Sequence, residues 1–446
     1  MCSSDLFMAL PSFPLTPNGK LDKSALPLPD GQQREDSGFV APRTTAEQQL
    51  QEIWQQVLKL PQVSVQDNFF EIGGHSLKAI QVLSKINADL GISLTLSELF
   101  NHSTIAELAP VLATADGKAG ADIAKVALKE YHDTSNAQKQ IWLGHQYEDR
   151  QASFVIPTAF NLQGDLDIKA VERAYQQLID RHESLRTTFV FQSDHIYQRI
   201  ASSVSVAHCL ELLDKNNGQF DQDAFLSENY QAVCDLENGP LHKIWLVQTA
   251  PDETVLLIAM HHIISDAWSV NLFVNELLVL YKNEVMPGTQ QQLPALAIQY
   301  KDYVEWLKMK LNSDYIRKTT DYWVKQLAEE TPRLSLPLKL RGKQGSARVN
   351  SKKILIDQTV SEQLRTMAVS NNTTLFVVTL TAIKCLLSRY LETQTTTIAT
   401  PVSGRDNPKL HPQIGLYIDL LLIRQQLDTS ESFNTILHQV KANVME

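Results

Sequence analysis

The chain has 446 residues and a formal net charge of −10, with 43% hydrophobic and 20% charged residues. This is an ordinary globular balance, and the length points to about two to four domains. The acidic excess argues against nucleic acid or an anionic membrane as partner, since both select basic patches.

The longest nearly apolar runs, Thr254–Met260 and Leu375–Leu387, are too short to cross a bilayer, and the second contains Lys384. No charged n-region followed by an apolar h-region opens the chain. Cys2, Cys209, Cys234 and Cys385 form no CxxC and no metal-ligand spacing. Unpaired thiols and no metal, in a reducing cytoplasm, are the expectation.

In chain order, Leu15-Thr16-Pro17-Asn18-Gly19-Lys20-Leu21-Asp22 carries a two-residue turn signal and reads by itself as a surface hairpin with an exposed lysine. The Pro/Gly-punctuated polar stretch Leu26–Gly38 reads as a linker. Thr44-Thr45-Ala46-Glu47 has the form of a capping box, and Leu50, Ile53, Trp54, Val57 and Leu58 line one face of the helix that follows. Next comes Asp67-Asn68-Phe69-Phe70-Glu71-Ile72-Gly73-Gly74-His75-Ser76-Leu77.

There, a paired-glycine turn delivers Ser76 to the first position of a helix whose apolar residues are Leu77, Ile80, Leu83, Ile86 and Leu90. Gly91 stands where a left-handed C-terminal residue is wanted. Ser76 is either a plain N-cap or a place for an attached anion, which unpaired N–H groups and the helix dipole would favour. Thr95–Glu98 and Thr104–Glu107 repeat the capping signature, so three substantial helices and one short one form a small bundle. Pro110 should kink or shorten the last helix. Ala113–Glu130 is a second connector.

From Tyr131 the texture changes to alternating strands and helices, an α/β layering. Asp167 should cap a helix reaching about Arg181, and Val255–Met260 reads as a buried strand. Behind that strand, His261-His262-Ile263-Ile264-Ser265-Asp266 leads into a helix bearing Val270, Phe273, Val274, Leu277 and Leu278. Alone, the hexapeptide is equally well two core histidines and an N-cap, or an imidazole aimed into a cleft. A strand near Lys352–Ile356, helices near Ser361–Val369 and Leu375–Tyr390, and a strand near Thr397–Val402 complete the reading.

Asp67–Leu77 resembles, over its whole length, the phosphopantetheine attachment motif of peptidyl carrier domains in nonribosomal peptide synthetases. The resemblance implies a 4'-phosphopantetheine arm on Ser76, with Gly74 and His75 beside it. Leu15–Asp22 is similar to the last motif of adenylation domains, with Lys20 as its lysine. Five further strings resemble, in order, the motifs of synthetase condensation domains: Ser135–Trp142, Arg181–Phe189, Met260–Trp268, Tyr300–Trp306, and Ile414–Asp419 through Arg424.

The implied organisation is an adenylation remnant over 1–30, a linker over 31–38, an all-α four-helix carrier over 39–114 and a second linker over 115–130. A two-lobed α/β domain like chloramphenicol acetyltransferase follows over 131–446, its C-terminal lobe cut short at Glu446. The implied chemistry is amide formation, the amine on a downstream carrier attacking the upstream thioester. His262 would be the catalytic histidine beside His261. Asp266 would be its structural partner, paired with Arg186, although the sequence does not fix which arginine it meets.

Two departures stand out. Ala267 replaces the family's usual glycine, so a right-handed or extended backbone is expected there. Asp419 replaces a common asparagine and would add negative charge near the tunnel. Implied partners are a phosphopantetheinyl transferase, an upstream adenylation domain and a downstream carrier/adenylation module. A scaffold with an inactive condensation-like lobe and an epimerisation domain are the alternatives. His75 favours condensation with an L-configured donor, since carriers feeding epimerases usually show aspartate there.

Overall fold

The computed structural model describes residues 39–70, 72–74, 76–92, 94, 98–99, 102–114, 123–215, 220–286, 288, 291–311, 314–328, 354–391, 393–428 and 430–445. Lys20, His75 and most of the expected short helix at Thr95–Glu98 lie outside them. By its contacts the chain divides into one unit through Asp116 and a larger one from Gly117 to Glu446, residues Asn87–Ser93 apart.

The first unit holds α1 (Thr45–Leu58), α2 (Ser76–Leu90) and α3 (Ile105–Thr114). Thr44 caps α1 by accepting from Glu47 N–H, but the Glu47 carboxylate turns to Arg43 rather than closing the box. The box at Thr104 and Glu107 closes in both directions. Pro110 sits inside α3, which continues to Thr114. Leu50, Ile53, Trp54, Val63, Val65, Phe69, Val82, Ile86, Ile105 and Leu108 are buried, with Trp54 and Phe69 in edge contact at 4.9 Å. A core this small is only marginally self-sufficient.

The second unit opens with β1 (His132–Asp133), α4 (Asn136–His145), β2 (Val155–Gln163) and α5 (Ile168–Arg181). It continues through β3 (Thr187–Gln192), β4 (His195–Ile200), β5 (Leu210–Asp214) and α6 (Gln222–Asn229). Then follow β6 (His242–Ala250), β7 (Glu253–His261) and the long helix α7 (Ala267–Val285). One sheet has the order β1-β4-β3 and another β2-β7-β6-β5, in which only the β5–β6 pair is parallel.

Central β7 is buried on both faces, hence its uninterrupted apolar sequence. Leu256, Ile258 and Met260 face the core made with α5 and α7, while Val255, Leu257 and Ala259 face Trp245, Val247 and Leu226. Asp167 caps α5 through Ala170 N–H, and the apolar stripe Val171, Ala174, Tyr175, Leu178 and Ile179 packs inward.

The second lobe comprises α8 (Tyr300–Leu311), α9 (Asp314–Gln326), α10 (Gln358–Ser370), α11 (Leu375–Leu391), the antiparallel pair β8 (Thr395–Val402) and β9 (Asp419–Gln426), and α12 (Phe433–Met445). The strand expected at Lys352–Ile356 is not formed in its described part. Ile354, Leu355 and Ile356 are exposed and no described strand pairs with them, so β-branched content alone does not make a strand there. Among the described residues no single helix is long and apolar enough to cross a membrane.

His242, fully buried on β6, links the first lobe together. Its Nε2–H donates to Leu185 O at 2.8 Å, and Nδ1 accepts from the Tyr175 hydroxyl at 2.5 Å. Burial pushes this imidazole down to about 4. Between about pH 6.5, the ordinary histidine value, and pH 4, the unfolded chain takes up a proton that the folded one refuses. Stability from this group is therefore complete above pH 6.5 and lost as pH falls to 4, by roughly 3 kcal/mol. Urea midpoints measured across this window should fall, and His242→Gln should flatten the slope relative to the unsubstituted chain. An unchanged slope in the variant would refute the assignment.

Candidate functional site

In the carrier unit, Ser76 is the first residue of α2. The turn before it is built on Phe69, whose carbonyl accepts from Gly74 N–H at 2.8 Å and whose N–H donates to Ser103 O at 2.8 Å. Gly73 has φ +95, and a Cβ at Gly74 would lie 2.4 Å from the Phe69 ring, so neither position accepts a side chain without movement. Gly91, at φ +69, ends α2 left-handed. Lys78 donates to Gly73 O at 3.1 Å, placing an ammonium at the head of the helix. The helix dipole and this cation together fit a phosphodiester at position 76.

In the second unit, β7 ends at His261, a 3-10 turn spans His262–Ile264, and Asp266 caps α7 through Ser269 N–H at 2.7 Å. His262 Nδ1 lies 2.9 Å from Ser265 O. A carbonyl only accepts, so the neutral ring carries its proton on Nδ1 and leaves Nε2 with a lone pair. Half-buried His262 thus offers a base of fixed orientation. His261 faces away from this role. It is wholly buried, its Nδ1 accepts from Ile263 N–H at 3.2 Å, and desolvation, with smaller contributions from His145 and His262, pushes it down to about 3.

The expected Asp266–Arg186 pair does not form. Arg186 spends its guanidinium on the backbone carbonyls of Ile179, Asp180, Ala201 and Ser202, pinning the end of α5 to the end of β4. Asp266 instead meets Arg405, which is 0% exposed. Arg405 Nη2 stands 3.1 and 3.3 Å from the two carboxylate oxygens and donates to Ser269 Oγ at 2.9 Å. Nη1 donates to Leu410 O and Gln413 O.

The guanidinium lies 4.1 Å from the Tyr417 ring and 5.6 Å from that of Trp268. Asp266 also accepts from Tyr417 N–H at 3.2 Å. With its oxygens so occupied, Asp266 holds the loop and has no lone pair left for chemistry. Ala267 is the first residue of α7, in the right-handed conformation. Asp419 is exposed at the start of β9, accepting from Leu420 N–H at 2.8 Å.

The five strings are tied to one another, the first to the turn after His262 and the second, third and fourth to the segment 414–417. Gln138 donates to Ile263 O at 3.2 Å, Ser184 to Ile414 O at 2.7 Å, and Tyr300 to Leu416 O at 2.7 Å, while Ser269 Oγ accepts from Gly415 N–H at 3.1 Å. Arg405, Ser269 and Gln413 were not singled out from sequence. The one local signal was the Gly404-Arg405 pair directly behind a predicted strand, where a turn delivers a long cation toward the interior.

Two lobes joined across a histidine-bearing loop define an acyltransferase-type fold similar to chloramphenicol acetyltransferase. Residues 129–446 match the family described as "Condensation domain" and residues 48–112 the family described as "Phosphopantetheine attachment site". The chain therefore belongs to the condensation-domain family of nonribosomal peptide synthetases, with a carrier domain of the phosphopantetheine-attachment family ahead of it.

It is 34% identical to tyrocidine synthase 2 of Brevibacillus parabrevis over 98% of its own length and 12% of that protein's. Bacitracin synthase 2 of Bacillus licheniformis is 33% identical over 98% of this chain and 16% of that protein. The chain thus spans a small fraction of these relatives. Among solved structures, the X-domain from teicoplanin biosynthesis matches with TM-score 0.63 at 23% identity, covering 72% of each chain. The epimerization domain from the third module of tyrocidine synthetase B gives 0.61 at 19% identity, covering 72% of each chain. These likenesses show the fold.

Arg405→Met should leave the Asp266 carboxylate buried without its cation and cost about 3–5 kcal/mol in urea unfolding. Adding Asp266→Asn should recover part of that loss. Strict additivity of the two substitutions, within about 0.5 kcal/mol, would show that the pair is not coupled.

Proposed function

We propose that this chain is the carrier–condensation section of a modular nonribosomal peptide synthetase, with Ser76 as the attachment residue and His262 as the base. The observation carrying this reading is the fixed Nε2 lone pair of His262 on a loop braced by Gln138 and, through Asp266, by Tyr417 and Arg405. The arm, when bound, supplies the acyl thioester. That thioester would exchange its C–S bond for a C–N bond to the amine of a downstream carrier. His262 Nε2 would take the amine's surplus proton and return it to the departing thiolate.

Magnitudes rank the contributions. An α-amine has a pKa of roughly 7.7–8.0 and is partly free base at neutral pH. A general base is worth about 10²–10⁴-fold, whereas holding two tethered reactants in attack geometry is worth about 7–11 kcal/mol. Positioning therefore contributes more than proton transfer, and the Arg405–Asp266 brace serves it.

The donor is of the L type, in keeping with Gly-Gly-His-Ser at positions 73–76. Partners are a phosphopantetheinyl transferase, an upstream adenylation domain and a downstream carrier/adenylation module, in the cytoplasm. Lys20 fits the lysine of an adenylation remnant.

Incubation with coenzyme A and a phosphopantetheinyl transferase should add the mass of one arm, and Ser76→Ala should abolish the addition in intact-mass spectrometry. Mass retained in the variant would displace the attachment residue. Within the complete synthetase, His262→Ala should lower amide formation by about 10²–10⁴-fold while loading of Ser76 persists. Undiminished turnover would remove the base assignment.

A further inference from the structure

Behind the His262 loop, three side chains that the proposed reaction does not use come together. His145 is the last residue of α4, Cys234 follows the 3-10 turn Tyr230–Val233, and His261 is the last residue of β7. One ligand atom from each lies within 4.8 Å of the other two. The three residues are buried, and the two imidazoles meet edge-on at 5.1 Å. Nε2 of His145 and Nε2 of His261 find no hydrogen-bond partner among the described residues. A buried polar group without a partner is costly to keep so. Two orphaned imidazole nitrogens beside a thiol are thus a donor set lacking its occupant.

We propose that His145 Nε2, Cys234 Sγ and His261 Nε2 form a structural site for a thiophilic divalent cation of the zinc class. Two imidazoles and a thiolate, with a fourth position open, suit that ion in tetrahedral geometry. Bond lengths of about 2.0–2.3 Å require ligand atoms roughly 3.3–3.8 Å apart, so binding draws the three atoms together by on the order of 1 Å.

The proton balance is explicit. Cys234 releases its thiol proton to solvent, ending the 3.3 Å contact with Tyr230 O. The His261 ring proton moves to Nδ1, which gives up the 3.2 Å bond from Ile263 N–H. No electron is transferred. Two neutral imidazoles and one thiolate leave one positive charge, and the C-terminal end of α4, where His145 sits, favours it. The three ligands come from separate segments, so the ion would tie the end of α4 and the turn around Cys234 to the strand that delivers His262. The position lies well apart in sequence from any Cys/His spacing motif, and tertiary folding alone assembles it.

The test uses the full chain, stripped with chelator, incubated with Zn²⁺ and desalted, with metal content read by atomic emission. One equivalent should be retained, and Co²⁺ in its place should show a thiolate-to-metal charge-transfer band. Cys234→Ser and His145→Gln should each weaken Zn²⁺ binding by roughly 100-fold or more, while Cys385→Ser leaves it unchanged. Thermal melts in chelator establish that the variants fold. Failure of the unsubstituted chain to retain an equivalent would overturn the proposal. So would a cobalt spectrum without the thiolate band, or a folded Cys234→Ser chain that binds as tightly.

Discussion

A single buried cation organises the larger unit. Arg405 is removed from water, and its guanidinium answers to groups from both lobes: the carboxylate that caps α7, the Ser269 hydroxyl, two carbonyls from the segment after β8, and two aromatic faces. Burying an arginine and an aspartate is costly, and their attraction offsets that cost only with good geometry and further hydrogen bonds. Here Asp266 also accepts from Ser269 and Tyr417. The pair is better read as a device for fixing one arrangement than as a large net source of stability. Its consequence is local: the residues between His261 and Asp266 are held at both ends, one by the central strand and the other by the helix cap.

Around that brace the backbone carbonyls are answered by side chains from distant parts of the chain. Ser135 closes a capping box with Gln138, whose amide then reaches Ile263 O. Tyr300 bridges Ser135 and Leu416 O. Trp268 donates to His411 O, and the His411 ring lies 3.0 Å from Arg405 O. These are buried polar links, each side chain answering an irregular carbonyl that no strand or helix satisfies. A loop built this way can carry an imidazole without drifting.

Much of this was legible in the residues themselves, and the failures have physical causes. β7 announced itself because both faces are covered, so no polar residue interrupts Val255–Met260. α5 was legible from its apolar stripe and Asp167, and α2 from its paired glycines. The partner of Asp266 was not, because an ion pair between residues 139 positions apart leaves no local pattern. Arg186 was the plausible choice by motif, yet a guanidinium beside the C-terminal end of a helix finds its unpaired carbonyls first. Glu47 likewise had the spacing of a capping box but met Arg43. The apolar run before α10 carried strand-forming residues, yet no described strand bonds with it, which composition does not reveal.

The hydrogen bond from His262 to Ser265 O has a kinetic corollary. Because one nitrogen keeps its hydrogen throughout, the other can be charged and discharged without any turn of the ring. Acid and conjugate base then occupy the same coordinates. A proton taken up at that atom can be given back from the same point, with no side-chain flip between.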